Sequence, residues 1–293
     1  MVTLIVLACA GGAGDKAVED SQAEVTVDRG PTTIALDADP NGLWWDADEA
    51  ALYIADDNGN RALRWSDAGG LSLAATFPEA PADGPGLGQL VRLADGALVV
   101  TRFGYGTAGD VVFVGADGVS GVVPGLDPER RRIGLTLTDE GTLFDGWYKS
   151  ADGTRVGGVS ALDLTRGETD LWSDLGKPVG VLAHEGRLWV ADQDKLQLLT
   201  APLDDLSDLS LLAELDSADL LCAGPMGGVF MGGKDGAVRL ISAEGVVEVF
   251  ASGFQEARGV AYDAQNGRLF VADHDGEEAD GVTHRLQIVP VAP

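Results

Sequence analysis

The chain alternates short apolar runs with small polar turns, and this alternation repeats along its length. In "NGLWWDADEAALYIADDNGNR" (residues 41–61), an apolar run is followed by an acidic turn, a second apolar run and an Asn/Gly turn. Short apolar runs separated by Gly, Asn and Asp are typical of β-strands joined by tight turns. The pattern therefore predicts antiparallel strands rather than long helices.

The second apolar run of this stretch recurs through the chain. It begins at Leu52, Leu98, Leu143, Leu188, Val229 and Leu269, so that its six copies are separated by 40 to 46 residues. A third apolar run follows each copy, and a fourth follows most of them. Repeats of four strands at such a period are the signature of a propeller blade. We therefore predict an all-β fold, a six-bladed β-propeller of four-stranded blades.

The sixth copy lacks a fourth strand, because the sequence stops just after its third strand. Residues 25–36 precede the first blade and have no other place in the pattern. We predict that they pair beside residues 286–289 and complete the last blade, since closing the ring removes open sheet edges. The propeller is expected to span residues 23–293.

The N-terminus and the overall charge bear on where the protein acts. Residues 1–22 contain an apolar run at positions 2–8 followed by Cys9. This resembles a bacterial lipoprotein signal, and an unstructured cytosolic N-terminus is the alternative. We expect an extracytoplasmic protein that is held at the membrane only through lipid on Cys9. The 20 basic and 47 acidic residues give a formal charge of −27, which argues against nucleic acid as a partner.

The motifs "NGLWWDADEAALYIADDNGNRALRW" and "RGVAYDAQNGRLFVADHDG" resemble blades of the senescence marker protein/gluconolactonase family and the related NHL-repeat propellers. The resemblance lies in the blade pattern and covers roughly residues 25–290. It implies a calcium ion at the top of the central channel that assists hydrolysis of a lactone or similar ester. Calcium prefers oxygen ligands, and a bound cation polarises a carbonyl and lowers the pKa of an attacking water.

The resemblance places the calcium ligands just before the first strand of each blade. The residues at these positions are Asn41, Gln89, Ile133, Val179, Asp219 and Arg258. Asn41, Asp219 and Gln89 carry side-chain oxygens and are the expected ligands. Ile133 and Val179 offer no oxygen and Arg258 would repel a cation, so the ligand set is incomplete.

Three long loops after second strands are predicted to open on the same face, at residues 102–110, 147–157 and 273–284. Aromatic and charged side chains around a concave opening suit a small polar or sugar-like ligand. The side chains that form this predicted ligand rim are Arg102, Tyr105, Trp147, Tyr148, Lys149 and Arg258.

Histidines and recurring aspartates are the other candidates. His274, next to Asp275, is a candidate general base, and a solvated loop histidine is the alternative. His284 lies on the same rim, whereas His184 falls in a turn on the opposite face. The aspartates of the second strands, Asp56, Asp192 and Asp273, are predicted to accept backbone N–H bonds in the turn that follows each strand.

The stretch "DADPNG" begins like a calcium-binding loop, with Asp37, Asp39 and Asn41 at alternate positions. Pro40 and the tryptophans that follow favour an acidic connection into the first blade instead.

Two functions remain open. The first is a calcium-assisted hydrolase of lactones or similar esters. The second is a non-catalytic propeller that binds a small molecule, a glycan or a protein partner through the rim. A monomer is expected in either case. Three or more convergent oxygen ligands at the channel mouth would favour the enzyme. A mouth filled by Arg258, Ile133 and Val179 would favour the binding protein.

Overall fold

The computed structural model describes residues 31–80, 86–104, 108–274 and 284–292. The described residues form 24 β-strands and one three-residue 3-10 turn, Pro225–Gly227. The strands make six four-stranded antiparallel sheets, and each sheet is one blade. The predicted six-bladed β-propeller is therefore confirmed.

Some predictions concern residues that lie outside the described ranges. These are the lipoprotein-type segment at residues 1–22 with Cys9, the rim residue Tyr105, and Asp275 beside His274. They remain predictions. Within the described ranges, no helix is long and apolar enough to cross a membrane.

The two inner strands of each blade are mostly buried. The innermost strands, which surround the central channel, are β2 (Pro40–Asp46), β6 (Leu87–Arg92), β10 (Arg131–Leu137), β14 (Pro178–His184), β18 (Leu221–Ala223) and β22 (Glu256–Asp263). The second strands are β3 (Ala51–Asp56), β7 (Leu98–Arg102), β11 (Leu143–Ala151), β15 (Arg187–Asp192), β19 (Val229–Met231) and β23 (Arg268–His274).

The two outer strands are progressively more exposed. The third strands are β4 (Arg61–Ser66), β8 (Asp110–Val114), β12 (Thr154–Asp163), β16 (Gln197–Pro202), β20 (Ala237–Ile241) and β24 (Arg285–Pro290). The fourth strands are β1 (Thr32–Ala35), β5 (Gly70–Thr76), β9 (Ser120–Val122), β13 (Gly167–Leu175), β17 (Ser210–Glu214) and β21 (Val247–Ser252).

The first strand of the described chain closes the ring. β1 pairs antiparallel with β24, from Thr32 opposite Ile288 to Ala35 opposite Arg285, and so becomes the fourth strand of blade 6. Just beyond this ladder, the Leu36 N–H donates to the His284 carbonyl at 2.8 Å. The predicted closure by the N-terminal segment agrees with this pairing.

The described residues form a hydrophobic cluster at each of the six junctions between neighbouring blades. At the closing junction, Leu43 and Trp65 of blade 1 pack with Phe270 and Leu286 of blade 6. The Trp65 and Phe270 ring centroids are 5.5 Å apart. Because side chains alternate between the two faces of a strand, each blade can pack against both neighbours.

One of the predicted rim loops is instead a long hairpin. β11 and β12 pair from Leu143 opposite Leu162 to Ala151 opposite Thr154. Asp152 and Gly153 at the turn have φ angles of 51° and 79°, which is the type I′ geometry of two-residue hairpins. The prediction of a loop at residues 147–157 is therefore wrong, because these residues continue the ladder.

Candidate functional site

The innermost strands carry a β-bulge near their starts. The register with the second strand shifts between Pro40 and Leu43 in blade 1, and at the corresponding places in blades 2, 3, 4 and 6. In blade 5, Leu221 pairs with Met231 as Leu43 pairs with Ile54 in blade 1, so Asp219 corresponds to Asn41. These registers give one equivalent residue in each blade, and we call the set the inner ring: Asn41, Gly88, Ile133, Val179, Asp219 and Arg258.

Neighbouring innermost strands approach each other closely at the inner ring, because a glycine follows most of the inner-ring residues. A Cβ atom placed on Gly42, Gly134, Gly180 or Gly259 would lie 1.9 to 2.8 Å from the carbonyl oxygen of the inner-ring residue in the next blade. Such distances are shorter than real Cβ contacts, so only glycine permits this approach. The glycines therefore bring neighbouring innermost strands together at one end of the channel.

The predicted ligand Gln89 is one position away from the inner ring. The register aligns Gly88 with Asn41, and Gln89 with Gly42. Gln89 is buried between blades 1 and 2, where its Nε2 donates to the Leu43 carbonyl at 2.7 Å. The prediction of Gln89 as a ligand at the mouth is therefore wrong, because the bulge changes which residue faces the ring.

Two further sets of residues surround the same end of the channel. The first set lies two positions before the inner-ring residues and consists of Asp39, Gly86, Arg131, Lys177, Ser217 and Glu256. The second set lies directly after the second strands, at the positions that follow Asp56 in blade 1 and its equivalents, and consists of Asp57, Phe103, Tyr148, Gln193, Lys234 and His274. The sets are joined by backbone contacts: the Asp57 N–H donates to Asp39 O at 2.7 Å, the Gln193 N–H donates to Lys177 O at 2.8 Å, and Glu256 pairs with His274. The fold thus repeats two positions around the mouth, which carry charged or polar side chains in blades 1, 4 and 6 and aromatic side chains in blades 2 and 3.

Positive charge gathers on the side of blades 4 to 6, in a cationic sector made of Lys177, Lys234 and Arg258 around Asp219. Burial raises the pKa of Asp219 to about 6, and the charges of Arg258, Lys234 and Lys177 oppose this shift. Burial also lowers the pKa of Lys177 to about 8, with the charge of Lys234 acting in the same direction. The Lys177 Nζ donates to Gln193 Oε1 at 2.6 Å. Asp219 is thus a nearly buried carboxyl facing several cations.

An acid–histidine sector lies on the side of blades 6 and 1, and consists of Asp39, Asp57, Glu256, His274 and His284. Asp39 Oδ1 lies 2.5 Å from His274 Nε2 and 3.9 Å from His284 Nδ1. Burial opposes ionisation of Asp39, but the hydrogen bond and charge of His274 outweigh it and lower the pKa of the carboxyl. His274 is buried, and the two imidazole centroids are 5.3 Å apart. The predicted general base therefore lies inside the site rather than in solvent.

Arg258 connects the two charged sectors. Its Nη2 lies 2.9 Å from Glu256 Oε2 and its Nη1 lies 3.8 Å from Asp57 Oδ2. Burial disfavours the guanidinium charge, but Asp219 and Glu256 outweigh this and raise the pKa of Arg258. Burial and the nearby Asp39 raise the pKa of Asp57 to about 6, against the charges of Arg258 and His274. Arg258, which the sequence placed on the rim, is the charged centre of the site.

Aromatic side chains line the remaining side, from blades 2 and 3. The ring centroids of Phe103 and Tyr148 are 6.0 Å apart, and the Arg131 guanidinium lies 5.0 Å from the Phe103 centroid. The Lys177 Nζ lies 5.3 Å from the Tyr148 centroid. The predicted rim residue Tyr148 therefore lies beside the cationic sector.

Arg102 does not belong to the rim. Its side chain is fully buried, and its Nη2 donates to Asn60 Oδ1 at 3.0 Å and to Pro78 O at 2.6 Å. Its Nη1 lies 3.2 Å from Asp110 Oδ2. The prediction of Arg102 as a rim residue is wrong, because its guanidinium joins blade 2 to the end of blade 1.

Trp147 and Lys149 have partners within or just before blade 3. Trp147 is buried, its Nε1 donates to Ser160 Oγ at 2.8 Å, and the Arg130 guanidinium lies 3.7 Å from its ring. The Lys149 Nζ lies 3.6 Å from Asp127 Oδ2. Trp147 therefore packs within blade 3, contrary to the predicted rim role, and Lys149 forms a half-exposed ion pair.

Two of the recurring aspartates accept backbone N–H bonds from the following turn, as predicted: Asp56 from Gly59 N at 3.1 Å and Asp192 from Lys195 N at 3.2 Å. The turn after Asp273 lies outside the described residues.

All three aspartates also accept bonds from earlier segments. Asp56 accepts from Asp39 N at 2.9 Å, and Asp273 accepts from Gln255 N at 2.7 Å. Asp192 accepts from Gly176 N at 2.7 Å and from Lys177 N at 2.9 Å. These bonds run to the segments that precede the innermost strands. The aspartates thereby position the chain around Asp39 and Lys177.

Replacing Asp192 by asparagine is expected to lower the free energy of unfolding by about 1–3 kcal/mol, because one carboxylate oxygen becomes an amide donor facing backbone N–H groups. Asp192 is fully buried, so solvent cannot replace the lost acceptor. Chemical denaturation measures the change. Asp194→Asn is the matched control, because Asp194 pairs with the half-exposed Arg155. An equal loss in both variants would contradict the positioning role of Asp192.

A cavity of about 310 Å³ lies at the other end of the channel, lined by the hairpin turns of blades 3 and 4, including Asp139, Glu140, His184 and Glu185. Burial lowers the pKa of His184. His184 ends β14, whereas Lys177 directly precedes this strand. The predicted position of His184 away from the mouth agrees with this arrangement.

Compared by sequence, the chain matches no family model and no curated protein. Compared by structure, it is similar to a luciferin-regenerating enzyme, with 14% identity, a TM-score of 0.70, and coverage of 90% of this chain and 96% of that one. A gluconolactonase from Xanthomonas campestris has 16% identity and a TM-score of 0.70, covering 89% of each chain. A calcium-binding regucalcin from Agrobacterium tumefaciens has 14% identity and a TM-score of 0.68, covering 89% of this chain and 93% of that one. The chain therefore shares its six-bladed propeller fold with gluconolactonase-like proteins.

Proposed function

We propose that the protein is a lactonase-type hydrolase that opens a small lactone or a similar ester at the inner-ring end of the channel. The proposal rests on Arg258, where the cationic and acid–histidine sectors meet. Arg258 contacts Glu256 and Asp57, and its positive charge interacts with the carboxyl group of Asp219. A proton acceptor and a cation that stabilises an oxyanion, held at one place, suit the hydrolysis of an ester. The similarity of the fold to a gluconolactonase supports this reaction class.

The cationic sector would stabilise the charge that develops on the substrate. When water attacks an ester carbonyl, negative charge grows on the carbonyl oxygen, and fixed donors aimed at that oxygen lower the barrier. Arg258 and Lys177 offer positively charged N–H donors at the mouth. The proposal assigns them to the carbonyl oxygen of the substrate.

The acid–histidine sector would accept the proton of the attacking water. A buried imidazole held by a carboxylate is a suitable acceptor near neutral pH, and Asp39 holds His274 in this way. The bond from the carbonyl carbon to the ring oxygen then breaks. The departing oxygen takes up a proton, and the product is a hydroxy acid. The aromatic side chains of Phe103 and Tyr148 would cover the apolar part of the ring.

Calcium at the inner ring is not used in this proposal. Calcium takes about six to eight oxygen ligands. Among the described inner-ring residues, only Asn41 and Asp219 carry side-chain oxygens, and Arg258 lies between their blades. The charges of Lys177 and Lys234 also act on Asp219. The inner ring does not suit calcium on these grounds, and the calcium binding of the regucalcin is a property of that protein.

A second function is favoured by the inner-ring residues Ile133, Val179 and Arg258, which offer no side-chain oxygen to an ion. The protein would then bind a small molecule, a glycan or a protein partner without chemistry. A panel of lactones and esters, assayed by acid release with the uncatalysed rate subtracted, separates the two functions. Turnover supports the hydrolase. Saturable binding without turnover supports the binding protein.

The rate of lactone hydrolysis is expected to fall as the pH rises through about 8, because Lys177 then loses its proton and its charge. Lys177→Arg should move this fall to higher pH, since an arginine stays protonated throughout the range. The measurement is kcat/KM between pH 6 and 10 after subtraction of the uncatalysed rate. Lys195→Arg is the control, because Lys195 Nζ donates to Asp174 O at the exposed edge. If kcat/KM of Lys177→Arg fell at the same pH as that of the unchanged chain, deprotonation of Lys177 would be excluded as the cause of the fall.

A further inference from the structure

We propose that Asp39, His274 and His284 form a binding site for a divalent transition-metal ion of the zinc class. One ligand atom from each residue can be chosen so that all three lie within 4.8 Å of one another. The Asp39 Oδ1 is the common neighbour, at 2.5 Å from His274 Nε2 and 3.9 Å from His284 Nδ1. A tetrahedral zinc ion with bonds of about 2.0–2.1 Å holds its ligand atoms roughly 3.3 Å apart. Side-chain movements on the order of 1 Å would therefore complete the set.

The kinds of ligand atom select the class of ion. Two imidazole nitrogens and one carboxylate oxygen suit zinc and neighbouring transition metals, whereas calcium and magnesium prefer sites made of oxygen alone. Three protein ligands also leave a coordination position for water, as catalytic rather than structural zinc sites do. None of the three residues belongs to the inner ring. The site is therefore distinct from the calcium position that the family resemblance implied.

The groups behind the three ligands are arranged to hold them in place. The second oxygen of Asp39 accepts a hydrogen bond from Asn58 Nδ2, and the Asp39 N–H donates to Asp56 Oδ1 at 2.9 Å. His274 Nδ1 lies 3.8 Å from Glu256 Oε2. A metal-bound histidine almost always donates its other N–H to a carboxylate or carbonyl, which fixes the ring and raises its basicity. At 3.8 Å the Glu256 carboxylate, which already accepts from Arg258, is beyond hydrogen-bond distance and would need to move closer to take that bond.

Buried polar atoms around the cluster lack partners within the described ranges. The Oδ1 of Asp57 is buried beside the cluster without a hydrogen bond among the described residues, and the Nδ1 of His274 is also unbonded there but faces Glu256 rather than Asp39. Buried polar atoms are normally satisfied, and those that are not call for an explanation such as an ion or its water. The Asp57 N–H donates to Asp39 O, so the Asp57 carboxyl lies beside the cluster. Water on a metal ion held by Asp39 would supply a donor to Asp57.

The charges of the surrounding groups also favour a bound cation. The acid–histidine sector holds the three carboxyl groups of Asp39, Asp57 and Glu256, and Arg258 is the cation in contact with two of them. A dication at Asp39 would offset the remaining negative charge. Asp39 and His274 are also the pair proposed above to accept the proton of the attacking water, so a chain with the ion bound would not use His274 in that role. Ion binding is therefore measured without substrate.

Calorimetry on the purified full chain, stripped by a chelator and titrated with Zn²⁺, tests the proposal. We expect one ion per chain. His284→Gln should weaken binding at least about 100-fold, because losing a ligand costs more than the 10- to 100-fold loss caused by removing a group behind a ligand. His184→Gln at the opposite end is the matched control and should bind as the unchanged chain does. Co²⁺ in place of Zn²⁺ should give visible absorption bands that are lost in His284→Gln.

His284 is chosen because it is half-buried, whereas His274 is buried and its replacement endangers folding. Circular dichroism of each variant confirms that the propeller is intact. A folded chain that takes up no Zn²⁺ would overturn the proposal. Binding that is equal in His284→Gln and His184→Gln would overturn it as well, as would displacement of Zn²⁺ by an equal concentration of Ca²⁺.

Discussion

Replacing Arg258 by methionine is expected to lower kcat for a lactone substrate by about 10²–10³-fold, which is the usual cost of removing one donor to a developing oxyanion. Arg258 is the one inner-ring residue with a charge opposite to that of the transition state. Methionine keeps much of the side-chain volume and removes the guanidinium. Initial rates on the best substrate of the lactone panel, measured over a range of concentrations, separate kcat from KM.

Two further variants make the Arg258 result specific. Arg258→Lys keeps a positive charge and should recover part of the lost rate. Arg166→Met is the control, because the Arg166 side chain is 87% exposed and its partner Asp163 lies at the outer edge of blade 3. A kcat for Arg258→Met within about threefold of the unchanged chain would exclude Arg258 from transition-state stabilisation, since one lost donor costs far more than this.

Replacing Gly259 by alanine is expected to lower the free energy of unfolding by about 3 kcal/mol, at the upper end of overpacking costs. The added Cβ would lie 1.9 Å from the Asn41 carbonyl oxygen of blade 1. The Cβ position is fixed by the backbone of residue 259 and the oxygen belongs to the main chain, so the contact cannot be relieved by rotating a side chain. Blades 1 and 6 must move apart instead. Chemical denaturation followed by fluorescence measures the loss.

Gly69→Ala is the matched control for Gly259→Ala. Gly69 is exposed in a turn, and a Cβ there would approach only the Ser66 Oγ, at 3.1 Å. Its effect should stay within about 0.5 kcal/mol, as for most surface substitutions. If Gly259→Ala were equally mild, the inner ring would have more freedom than the glycine contacts indicate.

The blades could be predicted from the sequence because their signals are local. Each blade repeats apolar runs and Asp/Asn/Gly turns at a nearly constant spacing, and the outer strands follow at short intervals. The closing strand β1 could be predicted because the sixth repeat lacked a fourth strand. The hairpin of β11 and β12 was mispredicted as a loop, since Gly157 and Gly158 weaken the apolar alternation although both residues remain in the ladder.

The candidate site was predicted less completely, because its residues come together through register and long-range contact. The single extra residue of a β-bulge moved Gln89 off the inner ring and put Gly88 there. Arg102 has rim-like chemistry in the sequence, but its partners are recruited from blade 1. Lys177 and Lys234 could have been found by their fixed offsets from the inner-ring and second-strand positions. Asp39 and His274 come into contact only when the first and last blades close the ring, so no local sequence pattern predicts that contact.

The closure by β1 has a consequence for how folding and occupancy are coupled. Asp39 follows β1 at the start of the described chain, while His274 and His284 belong to its last blade, so the acid–histidine sector spans the seam of the ring. A ligand bound there would link the first and last blades across the seam, the junction at which the ring closes. At a concentration of about 100 times its Kd, such a ligand would stabilise the closed ring by about 2.7 kcal/mol, because it binds only the folded state. A chain whose seam has opened would lose the site, and a filled site would protect the seam from opening and from proteolysis.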